Sequence, residues 1–336
     1  IIKMIKDKGR FFFVVFLISF FLNTFLNSAS SKILKCNFCK NEISGRYITQ
    51  GKNAYHEQCY QDHIQLKCDH CKNIINGIYN LKDEKSYHQQ CFINFILDKC
   101  DVCYQPIEGE YIKDPWGNIY HNHHRSKMPL CESCNRLISK NTTDGGYRIN
   151  DSRSVCNICR EYVIHDKNEI ENIYLDLRNE LKNLGISNLP KTMSIKLIDT
   201  KEELFRISKI PSSNGLQGYT KYNYQTFGKE KINENFTIFI LSNLHEINFR
   251  AVLAHEMLHV YLFKNGISLR ESLVEGFCNL GAKYVYDSNI ENKISELKLK
   301  SMYKSNHPEY GKGFRIMDSE LERHGWSKLL KKLESY

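Results

Sequence analysis

The sequence lacks the features of a nucleic-acid-binding tail and those of a disordered chain. It contains no long block of Lys or Arg: its formal net charge is +9, but the basic residues are interleaved with Asp and Glu throughout. This pattern disfavours nucleic acid as a partner and favours a Lys-rich solvated surface. The apolar fraction of 41% and the charged fraction of 25% are those of a globular protein, and 336 residues allow two or three domains.

The first apolar run is too short for a typical transmembrane helix. Phe11–Leu26 spans 16 residues, whereas a membrane-spanning helix needs about 20. Four basic residues precede this run and the small residues Ser28-Ala29-Ser30 follow it. This order predicts a signal peptide over residues 1–30 and an exported protein, whether secreted, periplasmic or in the cell envelope. The alternatives are an uncleaved anchor, which would be the chain's only membrane contact, and a buried helix.

Outside one region the sequence is almost free of cysteine. Twelve of the thirteen cysteines lie between Cys36 and Cys159, and only Cys278 lies elsewhere. The twelve occur in Cys-x-x-Cys pairs or in His-x-x-Cys, which is metal-ligand spacing. The alternative, a free-thiol or disulfide region, would suit an exported protein, but it gives the regularly placed histidines no role.

The cysteine pairs form four repeats. Their first members, Cys36, Cys68, Cys100 and Cys131, are spaced 32, 32 and 31 residues apart. Each repeat supplies four ligands, so we expect four structural zinc sites whose metal contributes much of the folding energy. The predicted ligands are Cys36, Cys39, His56 and Cys59; Cys68, Cys71, His88 and Cys91; Cys100, Cys103, His121 and His124; and Cys131, Cys134, Cys156 and Cys159. Between the ligand pairs, the first three repeats predict a β-hairpin that ends at the ligand histidine.

The chain after Cys159 predicts helices and strands in alternation. The periodic apolar residues from Ile170 to Leu184 predict an amphipathic helix that Gly185 ends. Thr200-x-x-Glu203 is a capping box, which predicts a helix start. Two strands are predicted at Met193–Ile198 and Phe236–Leu241, and a loop or hairpin near the cleft at Ile210–Gly228.

A second kind of metal site is predicted at His255-Glu256-x-x-His259. On a helix the two histidines share one face and can bind one zinc ion, with Glu256 beside the water that the ion activates. Uncharged residues flank the motif, as a buried helix requires. The alternative is a pair of core histidines that bind no metal.

The third ligand of this site is expected from the next helix. Leu262 and Asn265 occupy the positions where a metzincin carries Gly and His, so a carboxylate should complete the site. Glu275 is our choice because apolar residues flank it, and Glu271, one turn earlier, is the fallback. Both could instead be solvated carboxylates.

These residues predict hydrolysis of a peptide bond. Zinc lowers the pKa of a bound water, and Glu256 would accept the water's proton and pass it to the leaving amine. The oxyanion donor would come from His307, Tyr310 or His324, among which the sequence does not choose. The strand Phe236–Leu241 would offer its edge to an extended substrate.

Four stretches carry a family resemblance: Thr237–Leu244, Leu253–Leu262, Leu273–Cys278 and Tyr310–Arg315. They resemble the LIM-domain-containing zinc peptidases known as plant regulators of organ size. The resemblance implies an α+β chain in which tandem LIM-like zinc-binding β-hairpin units precede a mainly α zincin-like peptidase domain of the gluzincin type. It implies that His255, His259 and Glu275 bind the metal and that Glu256 is the catalytic base. Ahead of the LIM region the plant proteins carry ubiquitin-interacting segments where this sequence has the predicted signal peptide, so ubiquitin-dependent activation is not expected from the resemblance.

The sequence thus predicts a zinc endopeptidase with one catalytic and four structural zinc ions. Its expected domains are the signal peptide (1–30), four LIM-like units (31–160), a helical linker (161–190) and the peptidase domain (191–336). The zinc fingers would recognise a protein substrate or a protein partner. The alternative is a non-catalytic adaptor, in which the fingers bind a partner and the peptidase domain is inactive.

Overall fold

The computed structural model describes residues 3–5, 33–149, 153–210, 215–227 and 230–333. Within these residues the chain forms two compact units. The N-terminal unit contains residues 33–100 and 104–111, and the C-terminal unit contains 101–103 and 112–333. The predicted signal peptide lies outside the described residues, apart from a short strand, β1 (Lys3–Ile5). No helix in the described part of the chain combines the length and the apolar character that crossing a membrane requires.

The fold is mixed α+β, with small β-hairpins in the first part and mostly helices in the second, as the sequence predicts. In the N-terminal unit two antiparallel hairpins each lead into a short helical segment. Their elements are β2 (Tyr47–Gln50), β3 (Asn53–His56), α1 (Glu57–Cys59), β4 (Tyr79–Lys82), β5 (Lys85–His88) and α2 (Gln89–Cys91), and π-helical turns at Tyr60–Ile64 and Phe92–Ile96 continue α1 and α2. Each hairpin ends on a histidine and each helix contains a cysteine, so the hairpin brings the two residue types together.

The first two repeats each carry a stacked pair of rings on their surface. Phe38 stacks on His63 with ring centroids 4.1 Å apart, and His70 stacks on Phe95 at 4.3 Å. Positions 38 and 70 are equivalent in the 32-residue repeat, and so are positions 63 and 95. The two repeats therefore make the same contact with the phenylalanine and the histidine exchanged. This gives a structural role to His63 and His70, which fall outside the ligand pattern.

The C-terminal unit contains the later part of the third repeat and the whole fourth repeat, and it continues through a three-stranded sheet and a layer of helices. The repeats contribute β6 (Tyr111–Lys113), β7 (Ile119–His121), α3 (Asn122–Lys127), α4 (Lys140–Thr143), β8 (Gly146–Arg148), β9 (Ser154–Cys156) and α5 (Asn157–Arg160). The rest consists of α6 (Lys167–Asn183), β10 (Ser194–Ile198), α7 (Lys201–Ser208), β11 (Gly218–Phe227), β12 (Glu230–Leu241), α8 (Glu246–Lys264), α9 (Glu271–Ser288), α10 (Lys293–Lys304), a π-helical segment (Pro308–Gly313) and α11 (Phe314–Leu333).

The main core lies between the sheet and the helices. On α6 the predicted apolar stripe is buried from Ile170 to Leu181, and Leu177 is fully buried. Ile238 and Ile240 of β12 are also fully buried in this core. Helix α8 is apolar on nearly all sides, which is typical of a helix enclosed by other elements. The sheet and the packed helices thus enclose the motif that α8 carries.

The sheet order corrects one expectation. The strands lie in the order β10-β12-β11, with β10 parallel and β11 antiparallel to β12. The predicted strand at Phe236–Leu241 is therefore the middle strand, and the prediction that its edge is open was wrong. The stretch expected to form a loop or hairpin contains β11, an edge strand of ten residues that forms a hairpin with β12.

The fourth repeat packs against the helical part of the C-terminal unit. The Ser133 hydroxyl, between two cysteines of this repeat, accepts a hydrogen bond at 3.3 Å from the backbone N–H of His245, the N-cap of α8. The buried Arg153 donates to the carbonyl oxygens of Ser242 at 2.9 Å and Asp199 at 3.0 Å, just beyond the ends of β12 and β10. These bonds join the fourth repeat to the sheet and to the start of α8.

Candidate metal centres

The four cysteine pairs have one backbone conformation. In each repeat the residue after the second cysteine has a positive φ, at Lys40, Lys72, Tyr104 and Asn135. Its N–H donates to the carbonyl of the first cysteine at 2.8–2.9 Å. A positive φ is uncommon outside glycine, and here it recurs four times at equivalent positions. The tight turn places both thiols of a pair on the same side of the backbone.

The structure brings together the ligand atoms of all four predicted structural groups. Within each group these atoms lie within 4.8 Å of one another. The groups are Cys36, Cys39, His56 and Cys59; Cys68, Cys71, His88 and Cys91; Cys100, Cys103, His121 and His124; and Cys131, Cys134, Cys156 and Cys159. No disulfide joins the thirteen cysteines, all of which lie within the described residues. Sulfur and imidazole donors in sets of four fit tetrahedral zinc.

In the first two repeats, hydrogen bonds orient the ligand histidines and favour the ionised form of a ligand thiol, and both effects favour a bound cation. His56 Nε2 lies 3.0 Å from the carbonyl oxygen of Glu42, and His88 Nε2 lies 2.9 Å from that of Ile74. Each Nε2–H donates to its carbonyl, so the Nδ1 lone pair faces the thiols. Burial opposes ionisation of Cys36, but backbone N–H groups, first that of Cys39, outweigh it and lower the pKa of the thiol to about 6. A thiolate is the form that binds metal.

A fifth group lies between α8 and α9. His255 Nε2 and His259 Nε2 are 3.2 Å apart, and they lie 3.3 and 3.5 Å from the two carboxylate oxygens of Glu275. The three side chains are only 14–16% exposed. Gly281 of α9 allows the close approach of the helices, because a Cβ there would lie 2.7 Å from the backbone oxygen of Ala254 on α8. Two imidazoles and a carboxylate fit a catalytic zinc, which keeps one position open.

The electrostatics of this group favour a cation. Burial by itself lowers the pKa of His255, but the carboxylates of Glu275 and Glu256 outweigh it and raise that pKa. The same negative potential also attracts a metal ion. Burial, together with the neighbouring His255, lowers the pKa of His259 to about 4, so this ring is neutral and its lone pair is available at pH 7.

Asn279 orients the first histidine, a role that was not predicted from the sequence. Its side-chain oxygen lies 3.1 Å from His255 Nδ1, so Nδ1–H donates to it and Nε2 keeps its lone pair for a metal. Asn279 lies four residues after Glu275 and so shares its helix face. That spacing was a signal that could have revealed it. Glu271, the fallback ligand, is exposed at the start of α9 and lies outside the group.

Glu256 lies against strand β11. Its side chain is 4% exposed, and its Oε2 accepts a hydrogen bond from the Thr220 hydroxyl at 2.7 Å. Burial raises the pKa of Glu256 to about 7, against the opposing effects of His255 and Thr220. A carboxyl group with a pKa near 7 can both accept and return a proton at neutral pH. Thr220 carries no motif that would have identified it from the sequence.

The candidates for the oxyanion donor have different surroundings. The backbone oxygen of Tyr310 lies 3.5 Å from Asn279 Nδ2, and His307 lies beside Tyr310 with ring centroids 5.0 Å apart. His324 is on α11, where it lies 3.8 Å from Glu320. Contacts therefore link Tyr310 and His307 to the residues around the fifth group, whereas among the described residues the contact of His324 is with Glu320.

The chain is similar to two plant proteins, and no family model matches it. Protein DA1 of Arabidopsis thaliana is 21% identical over 282 residues, which cover 67% of this chain and 52% of that protein. Protein DA1-related 1 of the same plant is 25% identical over 284 residues, which cover 66% of this chain and 50% of that protein. The chain spans about half the length of these curated relatives. This distant homology supports the resemblance that the motifs indicated.

Proposed function

We propose that the chain is a zinc-dependent endopeptidase of the gluzincin type, with a zincin-like catalytic domain. The observation that carries the proposal is the fifth group: His255, His259 and Glu275 converge at hydrogen-bond distances, and the buried Glu256 follows the first of them on the same helix. A zinc ion held by these three residues would polarise a water molecule and the scissile carbonyl.

The protein's own residues supply the proton transfers. Glu256 accepts the proton of the attacking water and returns it to the leaving amine, a role that suits a buried carboxylate with a pKa near 7. Asn279 holds the imidazole of His255 in one tautomer. Thr220 holds one carboxylate oxygen of Glu256, so the other oxygen is available to the reacting proton.

Strand β11 is suited to bind an extended peptide. The N–H of Leu241 donates to the carbonyl of Gln217 at 2.9 Å, and Gly218 is opposite Ile240 in the register. In an antiparallel pair the hydrogen-bonded positions alternate, so the backbone groups of Gly218 and Thr220 point away from β12. A substrate pairing with these groups would pass beside Glu256. Such pairing needs no chain terminus, which favours an endopeptidase.

The four LIM-like repeats are proposed to hold structural zinc and to recognise a protein substrate or partner. If they alone carried the function, the chain would be the non-catalytic adaptor considered above. Catalysis by the fifth group separates the two proposals.

The test is cleavage of casein and of a fluorogenic peptide library, with zinc analysis of each protein. Wild type is expected to cleave and to hold five zinc ions, one for each group. Glu256→Gln should keep all five but lose cleavage about 10²- to 10⁴-fold, the usual contribution of a general base. Glu275→Ala should lose one zinc ion and the activity.

Glu271→Gln is the matched control, because it changes an exposed carboxylate of α9 outside the group, and it should behave as wild type. Equal cleavage by wild type and Glu256→Gln would refute the proposed mechanism. A wild-type protein that holds zinc in the fifth group and cleaves nothing would favour the adaptor.

A further inference from the structure

Two residues of strand β11 shape the surroundings of the proposed catalytic base. Gly218 and Thr220 are two positions apart, so their side-chain directions share one face of the strand. Both are buried, and both face Glu256 on α8. We propose that Thr220 is a positioning residue that fixes the carboxylate of Glu256, and that position 218 must be glycine to leave room for it. The proposal rests on the proposed function, since it assigns Glu256 as the base.

The contact with Thr220 is specific to its hydroxyl. Thr220 is 7% exposed, and its Oγ1 lies 2.7 Å from Glu256 Oε2 and 3.1 Å from the backbone oxygen of Glu256. A hydroxyl carries one hydrogen, and the shorter contact is the bond it donates. A hydrogen bond to a carboxylate is short and directional, so it selects one orientation of the side chain. Valine would fill the same space without offering this hydrogen.

Gly218 contributes by the side chain it lacks. A Cβ at this position would lie 2.7 Å from Glu256 Oε1, 3.0 Å from Glu256 Cγ and 2.6 Å from Val252 Cγ1. Any side chain would therefore push Glu256 away from the strand. The backbone of β11 thus bounds the carboxylate on the Oε1 side, while Thr220 holds Oε2.

The same two residues link the base to the substrate. Their backbone N–H and C=O groups point to the side of β11 away from β12, where an extended peptide would pair, and position 220 carries the side chain that holds Glu256. A peptide bound in register at Gly218 and Thr220 would meet a carboxylate that is already oriented. Preorganisation of this kind raises the rate of the chemical step rather than the affinity for the substrate.

The decisive comparison is Thr220→Val with Thr220→Ser in the full-length, zinc-loaded chain. Thr220→Val is expected to lower kcat about 10- to 100-fold, the usual effect of removing an orienting partner, with KM and zinc content unchanged. Thr220→Ser keeps the hydroxyl and should restore kcat to within about threefold of wild type. Thr192→Val, at an exposed threonine just before β10 and outside β11, is the matched control and should match wild type.

A binding measurement gives a readout separate from turnover. Acetohydroxamic acid binds zinc and shares its hydroxyl proton with a neighbouring carboxylate. Its dissociation constant, measured by calorimetry, should rise about tenfold in Thr220→Val and stay near the wild-type value in Thr220→Ser. Gly218→Ala should lower kcat and weaken this ligand in the same way.

The outcomes separate this inference from the proposed function. If wild type cleaves, Glu256→Gln does not and Thr220→Val keeps the wild-type kcat, the positioning role is refuted while the peptidase stands. An equal decrease in kcat in Thr220→Val and Thr220→Ser would also refute the positioning role, because the packing of the side chain and not its hydroxyl would then account for the effect. If Thr220→Val does not fold, the pair Thr220→Ser and Thr220→Ala makes the same test.

Discussion

Removing one zinc ligand from the fourth repeat should destabilise the whole C-terminal unit, whereas the same change in the second repeat should not. The perturbation is Cys159→Ser, and its matched control is Cys91→Ser, which removes the fourth ligand of the second group. The fourth repeat is bonded to the sheet and to the start of α8 through Arg153 and Ser133. The second repeat belongs to the N-terminal unit.

The magnitude follows from the energy of a structural zinc site. Such sites bind zinc with a free energy of about 10–16 kcal/mol at neutral pH. If the four ligands contribute equally, each accounts for about 2.5–4 kcal/mol of it. Folded domains are stable by only about 5–15 kcal/mol, so this is a large fraction of the total. In a unit of this size 1 kcal/mol shifts the melting temperature by about 2–4 °C, which predicts a decrease of about 5–16 °C for Cys159→Ser.

Tryptophan fluorescence is a suitable assay because both tryptophans of the chain lie in the C-terminal unit. Trp116 donates to the carbonyl oxygen of Cys134 at 2.8 Å and reports on the fourth repeat. Trp326 packs edge-on against Phe277 of α9 and reports on the helical core. In a Trp116→Phe background, the melting curve of Trp326 measures whether the core loses stability when the fourth zinc site is damaged.

Cys159→Ser should lower the melting temperature reported by Trp326 by the predicted amount. It should also reduce cleavage at temperatures where the C-terminal unit melts. Cys91→Ser should leave the Trp326 transition unchanged while it lowers the zinc content. If the Trp326 transition moves by less than about 2 °C in Cys159→Ser, the fourth zinc does not support the C-terminal unit and the reasoning is refuted.

Three further predictions concern the fifth group and its support. Asn279→Leu removes the acceptor of His255 Nδ1–H and should weaken zinc binding there about 10- to 100-fold, measured by competition with a chelator; unchanged affinity would contradict the orienting role. Glu256 must be ionised to act as a base, and burial raises its pKa to about 7, so kcat/KM should fall as the pH decreases, with a midpoint at or below about 7 because bound zinc favours the charged form; a flat profile between pH 4.5 and 8 would contradict it. Gly276→Ala would place a Cβ 2.4 Å from the backbone oxygen of Gly313 and should destabilise the C-terminal unit by about 1–3 kcal/mol in chemical denaturation, whereas Gly215→Ala, which has open space, should change stability by less than about 0.5 kcal/mol.

The ligand groups could be predicted because their spacing is local. A Cys-x-x-Cys pair, or two histidines four apart on a helix, are brought together by a few backbone dihedrals, so the sequence interval carries the geometry. The same holds for the helix start at Thr200, whose hydroxyl accepts from the N–H of Glu203 at 3.1 Å. Glu275 was predicted from its apolar neighbours and agreed with the family resemblance, and the structure places it beside both histidines.

The neighbours of the site could not be predicted because long-range pairing places them. Only the apolar second half of β12 is visible in the sequence, and strand order depends on contacts between distant segments. β11 is polar and follows a stretch rich in turn-forming residues, so local propensity predicted a loop or a hairpin without choosing between them. Thr220 and Glu256 are 36 residues apart, and no local pattern joins them.

The exchanged ring pairs, Phe38 on His63 and His70 on Phe95, bear on how the first two repeats diverged. If both descend from one ancestral repeat, the shortest series of single substitutions between the two arrangements passes through a pair of two phenylalanines or a pair of two histidines. Phenylalanine and histidine both have flat rings of similar size, so either intermediate pair can remain stacked while one residue changes. The stacked contact can thus be kept while its two residues change, and each repeat can place its imidazole on a different side of the same fold.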